Sequence, residues 1–145
     1  MNYKNSTLLL AAAAITVLNF QSCSKYEDGP AFSIRTKQGR LVGKWEVVKV
    51  GGQNSNAYFG AGYTYYFEFE SDGDFEMSYD YTYNGLTYSY SYDGEWEWEN
   101  NKSQIEIEMN GSKSEFDIKK LTNSEMTLEY SNGNTTQEWE FEKEN

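Results

Sequence analysis

The groups in this chain that can do chemistry are few in kind. There is one thiol, Cys23, no histidine, and 23 acidic side chains against 12 basic ones, for a formal net charge of −11. Lack of histidine removes the commonest general base and metal ligand. The carboxylates Glu68, Glu70, Glu76, Glu95, Glu97, Glu99, Glu106 and Glu108 fall at alternate positions of their segments. A strand pleat turns such residues to one side, which makes a solvated wall rather than an acid–base pair. Ser71-Asp72-Gly73-Asp74-Phe75-Glu76 places acids two apart but lacks the ligand spacing of a calcium loop, and reads as a tight turn. No phosphate-cradling glycine motif and no basic-aromatic patch occurs, and an acidic surface repels nucleic-acid phosphate. The chain is therefore read as a non-enzyme without cofactor or metal and without a nucleic-acid partner. The thiol and thirteen tyrosines are what remain to explain.

The thiol has an address. Before it stand a polar start with one cation, Lys4, and an apolar run from Thr7 to Phe20, too short to cross a bilayer comfortably, with small Ser22 next to Cys23. An unpaired exposed cysteine is a liability in an oxidising compartment unless it is used. Asn19-Phe20-Gln21-Ser22-Cys23 resembles the lipobox of bacterial lipoproteins, and Ser24-Lys25-Tyr26-Glu27-Asp28 resembles the surface-export signal of Bacteroidetes-type lipoproteins. The resemblance implies a cleaved signal peptide over 1–22 and acyl chains on Cys23. It also implies attachment to the bacterial outer membrane, surface-exposed or facing the periplasm. One acyl chain binds membranes only marginally; the three that the resemblance implies make a lasting tether.

The elements that carry the tyrosines follow from periodicity. Residues 23–40 hold the only proline, Pro30, and read as a tether with a helical turn near Ser33–Arg40. From Leu41 to Asn145 a single domain is expected, in which apolar residues recur with period two, the mark of half-buried strands. Eight strands are predicted: Val42–Val50, Tyr63–Glu70, Asp74–Tyr83, Leu86–Glu99, Gln104–Met109, Ser114–Leu121, Glu125–Ser131 and Thr136–Glu142. Directly paired residues of a hairpin share a face, which tests the turns. Ser71-Asp72-Gly73 sets Phe69 against Phe75, Asn84-Gly85 sets Tyr83 against Leu86, and Asn132-Gly133-Asn134 sets Leu128 against Trp139. A turn at Asp93-Gly94 would put tyrosines on the glutamate side. Leu86–Glu99 is therefore one long strand with Gly94 as a bend.

Consecutive hairpins make a meander, and eight strands suffice to close an all-β, antiparallel up-and-down barrel, which removes sheet edges. Leu41-Val42-Gly43-Lys44-Trp45 contains the Gly-x-Trp that opens the first strand of lipocalins, and the chain resembles the lipocalin-like lipoproteins over 41–142. It lacks their Thr-Asp-Tyr segment, and no arginine follows Arg40 to stack on the first-strand tryptophan.

Strand direction assigns heights. Trp45, Phe69, Phe75, Trp96, Trp98, Ile105, Ile118, Met126 and Phe141 fall at the tethered end. Tyr63, Tyr65, Tyr79, Tyr81, Tyr83, Tyr88, Tyr90, Met109 and Tyr130 fall at the other, under the glycine-rich segment 51–62 with Tyr58-Phe59 at its centre, which suits a mobile lid. A buried hydroxyl without a partner costs about 1–3 kcal/mol, so these phenols must be paired, wetted or reached by a ligand. Those eleven residues, Tyr58 and Phe59 included, are the candidate ligand contacts. A self-filled barrel, a shallow aromatic mouth and a deep cup all fit the pattern. The expected function is a lipid-anchored binding module for a small apolar or aromatic ligand. The alternative is a structural or protein-interaction envelope lipoprotein with a solid barrel.

Overall fold

The computed structural model describes residues 34–144; the leader, Cys23 and most of the tether lie outside them. Thr36 caps a short helix α1 (Lys37–Leu41), its hydroxyl accepting from the Gly39 amide at 3.0 Å. Strand β1 (Gly43–Val50) follows. The 51–62 segment folds into a two-residue strand β2 (Gln53–Asn54) against β1 and a turn of helix α2 (Ser55–Phe59). Then come β3 (Tyr63–Phe69), β4 (Asp74–Tyr83), β5 (Leu86–Glu99), β6 (Gln104–Met109), β7 (Ser112–Leu121), β8 (Glu125–Ser131) and β9 (Thr136–Lys143). The eight long strands lie within two residues of their predicted bounds.

Each long strand pairs antiparallel with the next, and β9 returns to β1, so the meander closes into a barrel. The predicted registers hold: Phe69 opposite Phe75, Tyr83 opposite Leu86, Leu128 opposite Trp139. Asn84 (φ 51°) and Gly85 (φ 75°) take the left-handed conformations of the expected two-residue turn. Gly94 lies mid-strand in β5, and a Cβ there would stand 2.4 Å from the Glu108 carbonyl oxygen and 2.8 Å from Met109 Cγ. Only glycine lets β6 approach this closely.

The core fills the lower half. Trp45, Phe69, Phe75, Trp96, Ile105, Ile118, Met126 and Phe141 are buried, as their heights predict. Leu41 of α1 is buried beneath them, and the Trp45 indole donates to its carbonyl at 2.7 Å. The place of the missing arginine is taken by Lys143, whose ammonium lies 4.8 Å from the Trp45 ring centre.

Closure is incomplete at the other end, against the expectation that it removes every edge. The β5–β6 pairing runs only from Glu95–Glu108 to Glu99–Gln104, whereas β4 follows β5 up to Leu86. The cause is a mismatch of length: β5 is 14 residues long and β6 only 6. Among the described residues, Leu86–Asp93 therefore have β4 on one side and no strand on the other.

Candidate functional site

The upper parts of β3, β4 and β5 form a three-stranded sheet standing above the closed ring. Period two puts Tyr63 and Tyr65, then Tyr79, Tyr81 and Tyr83, then Leu86, Tyr88, Tyr90 and Tyr92 on its inner face. Cross-strand registry stacks them. Tyr63 lies 4.5 Å from Tyr81, Tyr65 lies 5.1 Å from Tyr79, and Tyr79 lies 5.0 Å from Tyr90, between ring centres. Because among the described residues no strand flanks this sheet beyond β6, Tyr83 is 60% exposed, Tyr88 49% and Tyr90 50%. The tip of the predicted mouth is thus an open trough with wetted phenols at Tyr83, Tyr88 and Tyr90, whereas Tyr63, Tyr65, Tyr79 and Tyr81 below it are half-buried.

The loop segment sits over one end of the trough. Phe59 stacks on Tyr65 at 4.1 Å and lies 5.9 Å from Trp139, so it is partly buried against the core. Tyr58 stays exposed, its hydroxyl accepting from Gln137 Nε2 at 2.9 Å. The glycines predicted to make a lid frame this helical turn; Gly60, at φ 104°, ends it.

Met109 and Tyr130 lie apart from the stack. Met109 packs beside Gly94, and Tyr130 pairs with Phe116 on the β7–β8 wall, ring centres 5.5 Å apart. Between that wall and β3–β4 lies an apolar void of about 120 Å³, lined by Phe67, Phe75, Ile107, Met109, Ser112, Ser114 and Phe116. Pockets that enclose drug-sized ligands measure about 300–1,000 Å³. This void is too small to enclose such a ligand, and its lining shares no residue with the stacked tyrosines.

Electrostatics separate the two faces. Burial, then the phenols of Tyr92, Tyr90 and Tyr65 around it, raises Tyr79 above the ordinary phenol range. Burial and then Tyr63 and Tyr92 raise Tyr65. The outer face is acidic: a depression of about 420 Å³ is bordered by Asp74, Glu95, Glu97, Glu106, Glu108 and Lys113. Lys113 bonds Glu106 and lies 3.8 Å from Glu97 and 3.7 Å from Glu108. The hydrogen bond to Glu106 comes first among the causes that raise its pKa. Glu70, Asp72 and Asp74 gather at the β3–β4 turn, where Asp72 Oδ1 accepts from the Asp74 amide at 3.4 Å. They serve the turn that the sequence indicates.

Sequence reasoning left out Tyr92 and Leu86, although both lie on the tyrosine face by parity. It also left out Phe116, Ser112 and Ser114, whose inward aim follows from the parity of Ile118 on the same strand. Heights drawn from strand order did not show which of these residues would line a void.

The family model for a lipocalin-like domain matches residues 41–128. The chain belongs to that family of lipocalin-like domains. Among solved structures it is similar to a lipocalin-like protein from Bacteroides uniformis, at 17% identity over 72% of this chain and 99% of that one, TM-score 0.49. It is also similar to a fatty acid binding protein of Schistosoma mansoni in complex with arachidonic acid, at 12% identity over 76% of this chain and 100% of that one, TM-score 0.45. Bovine odorant binding protein in complex with undecanal is similar at 14% identity over 80% and 78% of the two chains, TM-score 0.43. A comparison with curated proteins returns no match.

Proposed function

We propose that this chain is a lipid-anchored binding module without turnover, held at the bacterial outer membrane by acylated Cys23 and surface-exposed. Its tyrosine trough takes a small apolar or aromatic molecule. The observation that carries the reading is the contiguous half-exposed aromatic face of Tyr83, Leu86, Tyr88, Tyr90 and Tyr92. Contiguous exposed apolar surface of this kind marks binding sites, whereas single exposed rings do not. Membership of the lipocalin-like family supports a binding role. The void of about 120 Å³ supports a ligand that lies in the trough and sends at most one small apolar end inward. Around that void stand phenyl rings, an aliphatic chain, a thioether and two serine hydroxyls, a set suited to binding and not to proton transfer.

The test uses the neutral fluorophore N-phenyl-1-naphthylamine on the full-length chain. Saturable fluorescence enhancement is expected, weakened at least five-fold in Tyr88→Ala and Tyr90→Ala with thermal stability nearly unchanged. Unchanged binding in both variants would refute the trough. Metabolic labelling with a fatty acid, lost in Cys23→Ser, checks the anchor separately. A protein-interaction role is favoured by a different observation, the open edge of β5.

A further inference from the structure

The open edge has its own chemistry. In a two-residue hairpin the residues flanking the turn exchange hydrogen bonds, and bonded positions alternate from there. Leu86, Tyr88, Tyr90 and Tyr92 therefore turn their backbone groups toward β4. Thr87, Ser89 and Ser91 turn theirs toward the side where no strand lies among the described residues. The same parity governs the ring below, where Glu95, Glu97 and Glu99 face β6. Exposed edges are ordinarily blunted by lysine, proline or a bulge. Leu86–Tyr92, LTYSYSY, has none of these and combines high strand propensity with no charge and no glycine.

We propose that two copies of this chain pair antiparallel along this edge, β5 against β5, to make one continuous aromatic sheet. Charge argues for the second copy. The chain carries −11 overall, with charged residues making up 24% of it, yet Met77–Tyr92 hold one charged side chain, Asp80. Copies that repel elsewhere meet here without opposing like charges. A basic partner would be drawn to the acidic outer wall, not to this neutral strip. The edge thus fits a neutral strand alternating rings with small hydroxyls, and β5 is itself such a strand. The register follows from space. Continuing the β5–β6 pairing puts the Asn110-Gly111 turn beside Asp93, so a partner is confined to the part nearer the hairpin tip. A two-fold axis through Tyr88 satisfies this. It pairs Thr87 with Ser89 of the other copy in about four backbone hydrogen bonds. It also pairs Leu86 with Tyr90 and keeps every ring on one face. The inference stands apart from ligand binding, since the trough stays uncovered.

Cysteine cross-linking tests it in membranes carrying the full-length chain. Directly opposed residues of a non-hydrogen-bonded antiparallel pair lie about 4.5 Å apart between Cα atoms, within reach of a disulfide. After mild oxidation, Tyr88→Cys is expected to yield at least ten-fold more disulfide-linked dimer than Glu138→Cys, an exposed control on β9, or than the unaltered chain. Adding Ser89→Pro, which removes the amide aimed at the partner, or Thr87→Lys, which sets two cations across the axis, is expected to cut that yield at least ten-fold. Dimer at the control level overturns the proposal. So does a cross-link to a different protein, or a yield that neither added substitution changes.

Discussion

Lys143 holds its ammonium 4.8 Å from the centre of the Trp45 ring and donates to the carbonyls of Arg40 at 2.7 Å and Val42 at 2.6 Å. One cation near the end of the chain thereby ties α1 to the floor of the barrel. Hydrogen bonds from charged groups contribute about 1.5–3 kcal/mol each and are not additive. Lys143→Met is expected to lower unfolding free energy by about 2–3 kcal/mol, read from the urea midpoint at unchanged slope.

Gly94 allows β6 to lie against β5. A methyl there meets the Glu108 carbonyl oxygen at 2.4 Å, and backbone cannot swing aside as a flexible side chain can. Gly94→Ala is expected to destabilise by about 1–3 kcal/mol. Gly111→Ala meets nothing within 4 Å, and its cost comes from its positive φ alone. Amide exchange in Gly94→Ala should quicken in β5 and β6 before the β8–β9 pair.

The aromatic residues of the upper end divide into cover and trough. Phe59 is packed against the core and Tyr65, whereas Tyr90 is half exposed. Phe59→Ala is expected to cost about 1–3 kcal/mol, and Tyr90→Ala less than about 0.5 kcal/mol. Equal costs from thermal denaturation would mean that Tyr90 is core.

Alkaline pH should weaken the fold through three phenols. Tyr65, Tyr66 and Tyr79 are all raised above 10.0, chiefly by burial; Glu144, Glu46 and Asp80 add to the effect on Tyr66. Above pH 10 the unfolded chain releases protons that the folded one keeps, so stability falls as pH rises through that range. Lys143, lowered from 10.5 by burial and then by Arg35, acts with the opposite sign just below that value. Absorbance at 295 nm should show a late-ionising fraction that shrinks in Tyr79→Phe, with stability at high pH correspondingly less sensitive to pH.

Much of the fold was legible because its information is local. Asn84-Gly85 and Asn132-Gly133-Asn134 fix hairpin register, and parity then fixes which of Leu86 or Thr87 faces inward. The reading of Gly94 as a bend rested on the same parity. The free edge of β5 was not seen, because it depends on how far β6 and β7 reach, a relation between neighbours of unequal length. The helical turn at Ser55–Phe59 was hidden by glycines on both sides of it. Lys143 was hidden by distance: its partners lie 101 and 103 residues earlier, and no periodicity links them. The eleven candidate residues share one end of the molecule, but Tyr130 packs with Phe116 rather than with the stacked tyrosines.

The two ends of this barrel also differ in mechanical character. Below Glu95 every long strand has two hydrogen-bonded neighbours, so the girth there is set. Above it, β4 and β5 stay tied to β3 through Tyr63–Tyr81 and Tyr65–Tyr79, but among the described residues no strand braces the far edge of β5. A load on the tyrosine sheet is therefore borne first by β3, β4 and β5, while the closed ring beneath keeps its girth.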